Sequence, residues 1–252
     1  MLYIKIDNNI ESWSVKFAYG LNSEKSLPEF YIKSIITKKI SPVEQPYFEK
    51  IEKNKYIYIN MSKSMKSFID RTKIFEPPIL YRMTKVLIYN KKGNCLSLGP
   101  GAGNAELELL KLGWHVTAVD KEIYSYETMR EQTKSKKLEF INIDFNDLKL
   151  TKKYDYVIAI NSIPFMDKKN IDDLFEKIFT HSKKECTITM TFFGTNHTFV
   201  KHGGCFGMTT TEVKKLFKKY KINIKLLGQT ATKRPDGVNF DVINVIGVKS
   251  DC

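Results

Sequence analysis

Cys95-Leu-Ser-Leu-Gly99-Pro-Gly101-Ala-Gly103-Asn104, followed after one helix length by Gly113-Trp-His-Val-Thr-Ala-Val-Asp120, decides the fold of this chain. The apolar run from Cys95 to Leu98 predicts a short strand that enters three alternating glycines, Gly99, Gly101 and Gly103. Leu107, Leu109, Leu110 and Leu112 continue as a helix, and Gly113 closes it, as glycine does where a left-handed residue follows the last turn. A second strand, His115 to Val119, ends on Asp120. This is a βαβ unit with a glycine-rich first turn and an acidic residue about 20 positions on, a layout that brings a nucleoside ribose to a carboxylate.

Glycine spacing separates the classes of nucleoside. A dinucleotide fingerprint needs glycine or alanine three residues after the second glycine, to admit a pyrophosphate at the helix start. Asn104 stands there, and the third glycine comes one step earlier, at Gly103. A tight Gly-x-Gly-x-Gly turn suits a ligand without phosphate whose amino-acid tail crosses the loop.

The stretch resembles motif I of the class I S-adenosylmethionine-dependent methyltransferases, and the plan of residues from about 93 to 249 extends the resemblance. Strands are predicted at Leu138–Ile143, Tyr154–Ile160 and Cys186–Phe193, with helices at Glu122–Lys134, Ile171–Thr180 and Thr209–Lys219. Asn146 to Lys153 leaves room for only one turn or a loop. Ile222–Thr230 and Phe240–Val248, joined by the turn signal Lys233-Arg-Pro-Asp-Gly237, predict a hairpin. The expected fold is α/β: a Rossmann-like seven-stranded sheet with an antiparallel C-terminal hairpin, preceded by a small α+β appendage. Two domains are expected, 1–75 and 76–252, with Glu76-Pro-Pro78 at the boundary and a helix over Ile79–Tyr89. In the appendage, Leu2–Ile6 and Trp13–Phe17 predict a hairpin and Tyr56–Asn60 a third strand, while 28–40 and 46–51 read as helical or irregular. Its expected role is to cover the site and select the acceptor, against a plain structural extension.

The resemblance implies S-adenosyl-L-methionine as cofactor and assigns residues to it. Gly99, Gly101 and Gly103 admit the ligand to the backbone. Ser97 departs from the family, which carries Asp or Glu there to hold the cofactor's ammonium group. Asp120 is expected on the ribose hydroxyls, or as a helix cap. Asp144 and Phe145 are expected at the adenine, with a plain turn aspartate as the alternative for Asp144. Asn161-Ser-Ile-Pro-Phe165 does not match the prolines of the Asn-Pro-Pro-aromatic motif of amino-group methyltransferases. It is similar to the Ser-Leu-Pro-Phe segment of small-molecule methyltransferases of the tellurite- and thiopurine-detoxifying group, so Asn161 joins the cofactor wall. Arg82, on the helix before the first sheet strand, is placed at the cofactor carboxylate or on the open surface. His197 and His202, in the loop Gly194–Gly207, are candidate general bases, with a surface role as the alternative. No metal-ligating pattern is present.

Composition bounds the partners. Of 41 basic residues against 28 acidic ones, net charge +13, only Arg71, Arg82, Arg130 and Arg234 are arginine, the residue suited to bidentate phosphate and base recognition. The charge reads as a lysine-rich solvated surface ahead of a nucleic-acid footprint. Residues 1–92 nevertheless carry 17 Lys/Arg and 9 Asp/Glu, a surplus of 8. Cys95, Cys186, Cys205 and Cys252 show neither metal nor disulfide spacing. Lys5 and Asp7 break the apolar start, and no apolar run approaches the roughly 18 residues of a membrane helix, so a cytoplasmic protein is expected. The favoured function is methyl transfer to a nucleophile on a small-molecule acceptor. Two alternatives stand beside it: an RNA, DNA or protein methyltransferase docking through its basic N-terminal region, and a non-catalytic S-adenosylmethionine-binding partner protein. The oligomeric state is not legible.

Overall fold

The computed structural model describes residues 2–5, 14–17, 66, 68–70, 72–233 and 238–250. The chain divides into two compact units, Met1–Ile59 and Asn60–Cys252. In the first, β1 (Leu2–Lys5) and β2 (Ser14–Phe17) pair antiparallel, with Leu2 opposite Phe17. The strand expected at Tyr56–Asn60, the segments 28–40 and 46–51, and most of the hairpin turn Lys233–Gly237 lie outside the described residues.

In the second unit, α1 (Ile79–Ile88) leads into β3 (Asn94–Leu98), α2 (Asn104–Lys111) and β4 (His115–Val119). Then come α3 (Ile123–Gln132), β5 (Leu138–Ile141), β6 (Tyr154–Ala159) and α4 (Ile171–Thr180). The chain closes with β7 (Ser182–Phe193), α5 (Thr198–Lys201), α6 (Thr210–Lys219), β8 (Ile222–Lys233) and β9 (Asn239–Lys249). The seven strands of this unit lie in the order β5-β4-β3-β6-β7-β9-β8. The first five run parallel, and β9 inserts antiparallel between β7 and β8.

Both faces of this sheet are covered, so β3 and β6 are each buried at every residue but one, Ser97 included. Alternation along β3 sends Leu96 and Leu98 into one core, with Phe175, Ile178, Val213 and Phe217 of α4 and α6. Cys95 faces the other core, with Tyr81 and Ile88 of α1, Leu109 of α2 and Met129 of α3. Helix α6 starts at a capping box: Thr209 Oγ1 accepts from the Glu212 N–H at 3.1 Å, and the Glu212 carboxylate accepts from the Thr209 N–H at 2.7 Å.

Several boundaries differ from the sequence expectation. β5 stops at Ile141 rather than Ile143, and a 3-10 turn, Phe145–Asp147, occupies the short crossover. β7 begins at Ser182, four residues before Cys186, because Lys183, Lys184 and Glu185 are exposed and carry no apolar signal. α5 was not anticipated, since four residues cannot display a helical period.

Candidate functional site

Four neighbouring strands deliver the candidate residues to one edge of the sheet. Gly99 follows β3, Asp120 follows β4, Asp144 lies past β5, and Asn161 lies past β6. Strand order reverses between β3 and β6, which is where open α/β sheets place their ligand crevice. Three inter-strand steps of about 4.8 Å span about 14 Å, a stretch suited to a nucleoside extended by an amino-acid tail.

The three glycines divide the labour. All have positive φ: 66° at Gly99, 58° at Gly101 and 77° at Gly103. A Cβ on Gly99 would sit 2.3 Å from Ser162 Cβ, and one on Gly103 would sit 2.2 Å from Met129 Cγ. These two are demanded by packing. A Cβ on Gly101 would meet nothing within 4 Å. Only Gly101 faces open space, so a ligand can lie against its backbone.

Asp120 is partly buried beside this turn. Burial raises its carboxyl above the usual range, while the N–H of Glu122 (3.0 Å), the hydroxyl of Ser125 (3.0 Å) and the Gly101 N–H work against that rise. Its oxygens therefore serve the start of α3, and the carboxylate stays in contact with the glycine turn. Asp144 accepts from the Asn146 backbone N–H (3.0 Å) and side-chain amide (2.7 Å), and Phe145 packs against the larger core. Asn161 holds a left-handed backbone at φ 54°, pinned by its N–H to Thr191 Oγ1 (2.6 Å), whose hydroxyl donates to Asn161 Oδ1 (3.1 Å). Ser162, next to it, donates to the Leu98 carbonyl at 2.6 Å and braces Gly99. Thr191 is a support that sequence reasoning missed, whereas Ser162 lies inside the segment read as the wall.

Ser97 is buried, and its hydroxyl donates to Glu106 Oε1 at 2.7 Å. Glu106, in the first turn of α2, is itself only 3% exposed, and burial raises its carboxyl. This residue was also missed. A serine on the strand, facing the helix three residues past the last glycine, was its one signal.

Arg82 is exposed, and its guanidinium pairs with Glu76 at 2.7 Å. His202 is exposed, with Nδ1 2.8 Å from the Thr198 carbonyl. His197 is fully buried, which removes the surface alternative for it. Its ring stacks on Phe193 at a centroid distance of 3.8 Å, with Phe240 at 5.0 Å and Phe199 at 5.1 Å. Phe165, from the segment after β6, extends the group at 5.6 Å from Phe193 and remains exposed on its outer face. His197 Nδ1 accepts from the Phe199 N–H at 3.1 Å, so the neutral ring carries its proton on Nε2, which is buried without a partner. Burial lowers its pKa, against an opposing pull from Asp241. Among the described residues, no cluster of His, Cys, Asp or Glu fits a metal ion, and no helix is long and apolar enough to cross a membrane.

The comparisons agree with this geometry. The family model for tellurite resistance protein TehB matches residues 81–229. TehB from Haemophilus influenzae superposes with a TM-score of 0.59 at 14% identity, over 74% of this chain and 67% of that one. The N-methyltransferase NodS from Bradyrhizobium japonicum WM9, solved with S-adenosyl-L-homocysteine, gives 0.58 at 10% identity, over 74% and 99%. Magnesium protoporphyrin IX methyltransferase from Synechocystis PCC 6803, solved with bound S-adenosylmethionine, gives 0.54 at 13% identity, over 78% and 87%. No curated protein matches the chain. With the family model covering more than half of its length and the class I methyltransferase sheet complete around the glycine turn, the chain belongs to the TehB family of S-adenosylmethionine-dependent methyltransferases.

Proposed function

We propose that this protein transfers a methyl group from S-adenosylmethionine to a lone pair on a small-molecule acceptor. When bound, the cofactor supplies a methyl group already activated on a sulfonium. The residues of the chain then have to place the acceptor in line and keep water out, which is catalysis by proximity and orientation. Gly101 leaves the backbone open to the ligand, Asp120 meets the ribose, and Asp144 with Phe145 borders the base. Asn161, fixed by Thr191, forms the wall between cofactor and acceptor.

The observation that carries the small-molecule reading is the aromatic group at the ends of β6, β7 and β9. Phe165, Phe193, Phe199 and Phe240 surround His197 with apolar surface. Such a wall suits a compact acceptor and offers no charge to a polyanion. His197 is not placed to act as a base: its ring is fully buried, and burial lowers its pKa. With the His197 ring buried and its pKa lowered, the acceptor arrives ready to attack, as a thiolate, an oxyanion or a neutral amine.

The test incubates the protein with isotopically labelled S-adenosylmethionine and a panel of small thiols, chalcogen oxyanions and amines, alongside RNA and protein fractions. Label in a low-molecular-weight product is the expected result. Label confined to RNA or protein would overturn the acceptor class.

A further inference from the structure

Glu106 is a buried carboxylate with no cation of its own. Among the described residues none forms an ion pair with it, whereas Glu108, on the same helix, pairs with Lys85. Ser97 supplies one hydrogen bond at 2.7 Å, and the first turn of α2 adds its amide dipoles. Neither neutralises an ionised carboxylate, and burying one away from a positive partner is costly. One polar group in the neighbouring core is unsatisfied. The Tyr81 hydroxyl is buried without a hydrogen-bond partner, and its phenol is pushed up by burial and by the charges of Glu108, Cys95 and Glu106.

Position says which cation fits. Along the sheet edge the order is β5, β4, β3, so a ligand with its base at Asp144 and its ribose at Asp120 carries its tail to the end of β3. There the glycine turn leaves Gly101 open, and Ser97 and Glu106 lie two residues before and three residues after its outer glycines. The methyl-bearing sulfonium has to face the acceptor wall at β6 and β7. The remaining cation of the cofactor is the ammonium of its amino-acid tail.

We propose that Glu106 is the carboxylate that binds the ammonium group of the S-adenosylmethionine tail, with Ser97 orienting it. The assignment rests on the cofactor reading above. The Ser97–Glu106 hydrogen bond joins the strand before the glycine turn to the first turn of the helix after it. Glu106 is a binding residue and takes no part in the transfer of the methyl group.

Calorimetric titration with two ligands tests this. S-adenosylhomocysteine carries the ammonium group, and methylthioadenosine shares the nucleoside and thioether but lacks the amino-acid tail. Glu106→Gln keeps the shape and removes the charge. It is expected to weaken S-adenosylhomocysteine at least about tenfold and to leave methylthioadenosine within about twofold. The double exchange Ser97→Asp with Glu106→Ser moves the acid to the other end of the same hydrogen bond and is expected to recover most of the lost affinity. Equal losses for both ligands would show a structural role for Glu106, and unchanged S-adenosylhomocysteine binding would also overturn the assignment. If Glu106→Gln does not fold, wild type and double exchange are compared for S-adenosylhomocysteine against its analogue lacking only the amino group. A preference of about tenfold or more in both is expected, and equal affinities would overturn the assignment. Failure of the wild type to bind either ligand would overturn the cofactor reading itself, and Glu106 with it.

Discussion

At the scale of single residues, the glycine turn separates folding from binding. Gly99 and Gly103 are required because Ser162 and Met129 fill the space beside them, while at Gly101 only the left-handed backbone favours glycine and no neighbour occupies the space. Gly101→Ala is therefore expected to fold with a loss of about 1–2 kcal/mol from its left-handed backbone, and to lose S-adenosylhomocysteine affinity. Gly103→Ala is expected to lose more stability because Met129 has to move. Urea unfolding and calorimetric titration of the two variants distinguish these outcomes, and unchanged affinity in folded Gly101→Ala would show that the turn holds no ligand. His197 gives a pH signature. Burial lowers its pKa in the fold, so the unfolded chain, with the ordinary value near 6.5, takes up more protons as the pH falls. Stability is therefore lost on acidification below about 6.5, and His197→Phe should remove part of that slope. Urea midpoints for both proteins between neutral pH and mild acid check this, and parallel slopes would contradict it.

At the scale of elements, legibility follows how local the determining contacts are. β4 and α4 have the bounds their patterns indicate, because each carries its whole apolar signal within its own length. The Thr209–Glu212 capping box is likewise local, spanning three residues. Thr209→Ala is expected to cost about 1 kcal/mol of stability without changing ligand affinity. Thermal melts with and without ligand measure both, and a loss of affinity would mean that α6 reaches the site. What escaped the sequence is non-local. The aromatic group draws on Phe165, Phe193, Phe199 and Phe240, four positions in three separate segments. Glu106 reads as an ordinary helix-surface acid until β3 is packed against α2 and Ser97 meets it. The start of β7 was hidden by exposed lysines, and Glu185 there takes a positive φ of 58° that no residue-level pattern indicates.

At the scale of the whole molecule, the reversal of strand order separates two groups of residues along the sheet edge. β5, β4 and β3 carry the residues suited to the cofactor, and β6, β7 and β9 carry the aromatic wall. The net charge of +13 attracts anions in general, so nucleic-acid binding that fades steeply with salt would reflect this surface, not the site. Ligand specificity is the sharper discriminator, because the position of the third glycine favours a phosphate-free nucleoside over a dinucleotide. A ligand that binds only the native state, present at about 100 times its dissociation constant, adds about 2.7 kcal/mol of stability. For a protein of this size that raises the melting temperature by about 5–10 °C. The most direct measurement is the melting temperature with S-adenosylhomocysteine set against that with NADH. A rise of that size with S-adenosylhomocysteine and none with NADH is the predicted result; a rise with NADH and none with S-adenosylhomocysteine would contradict it.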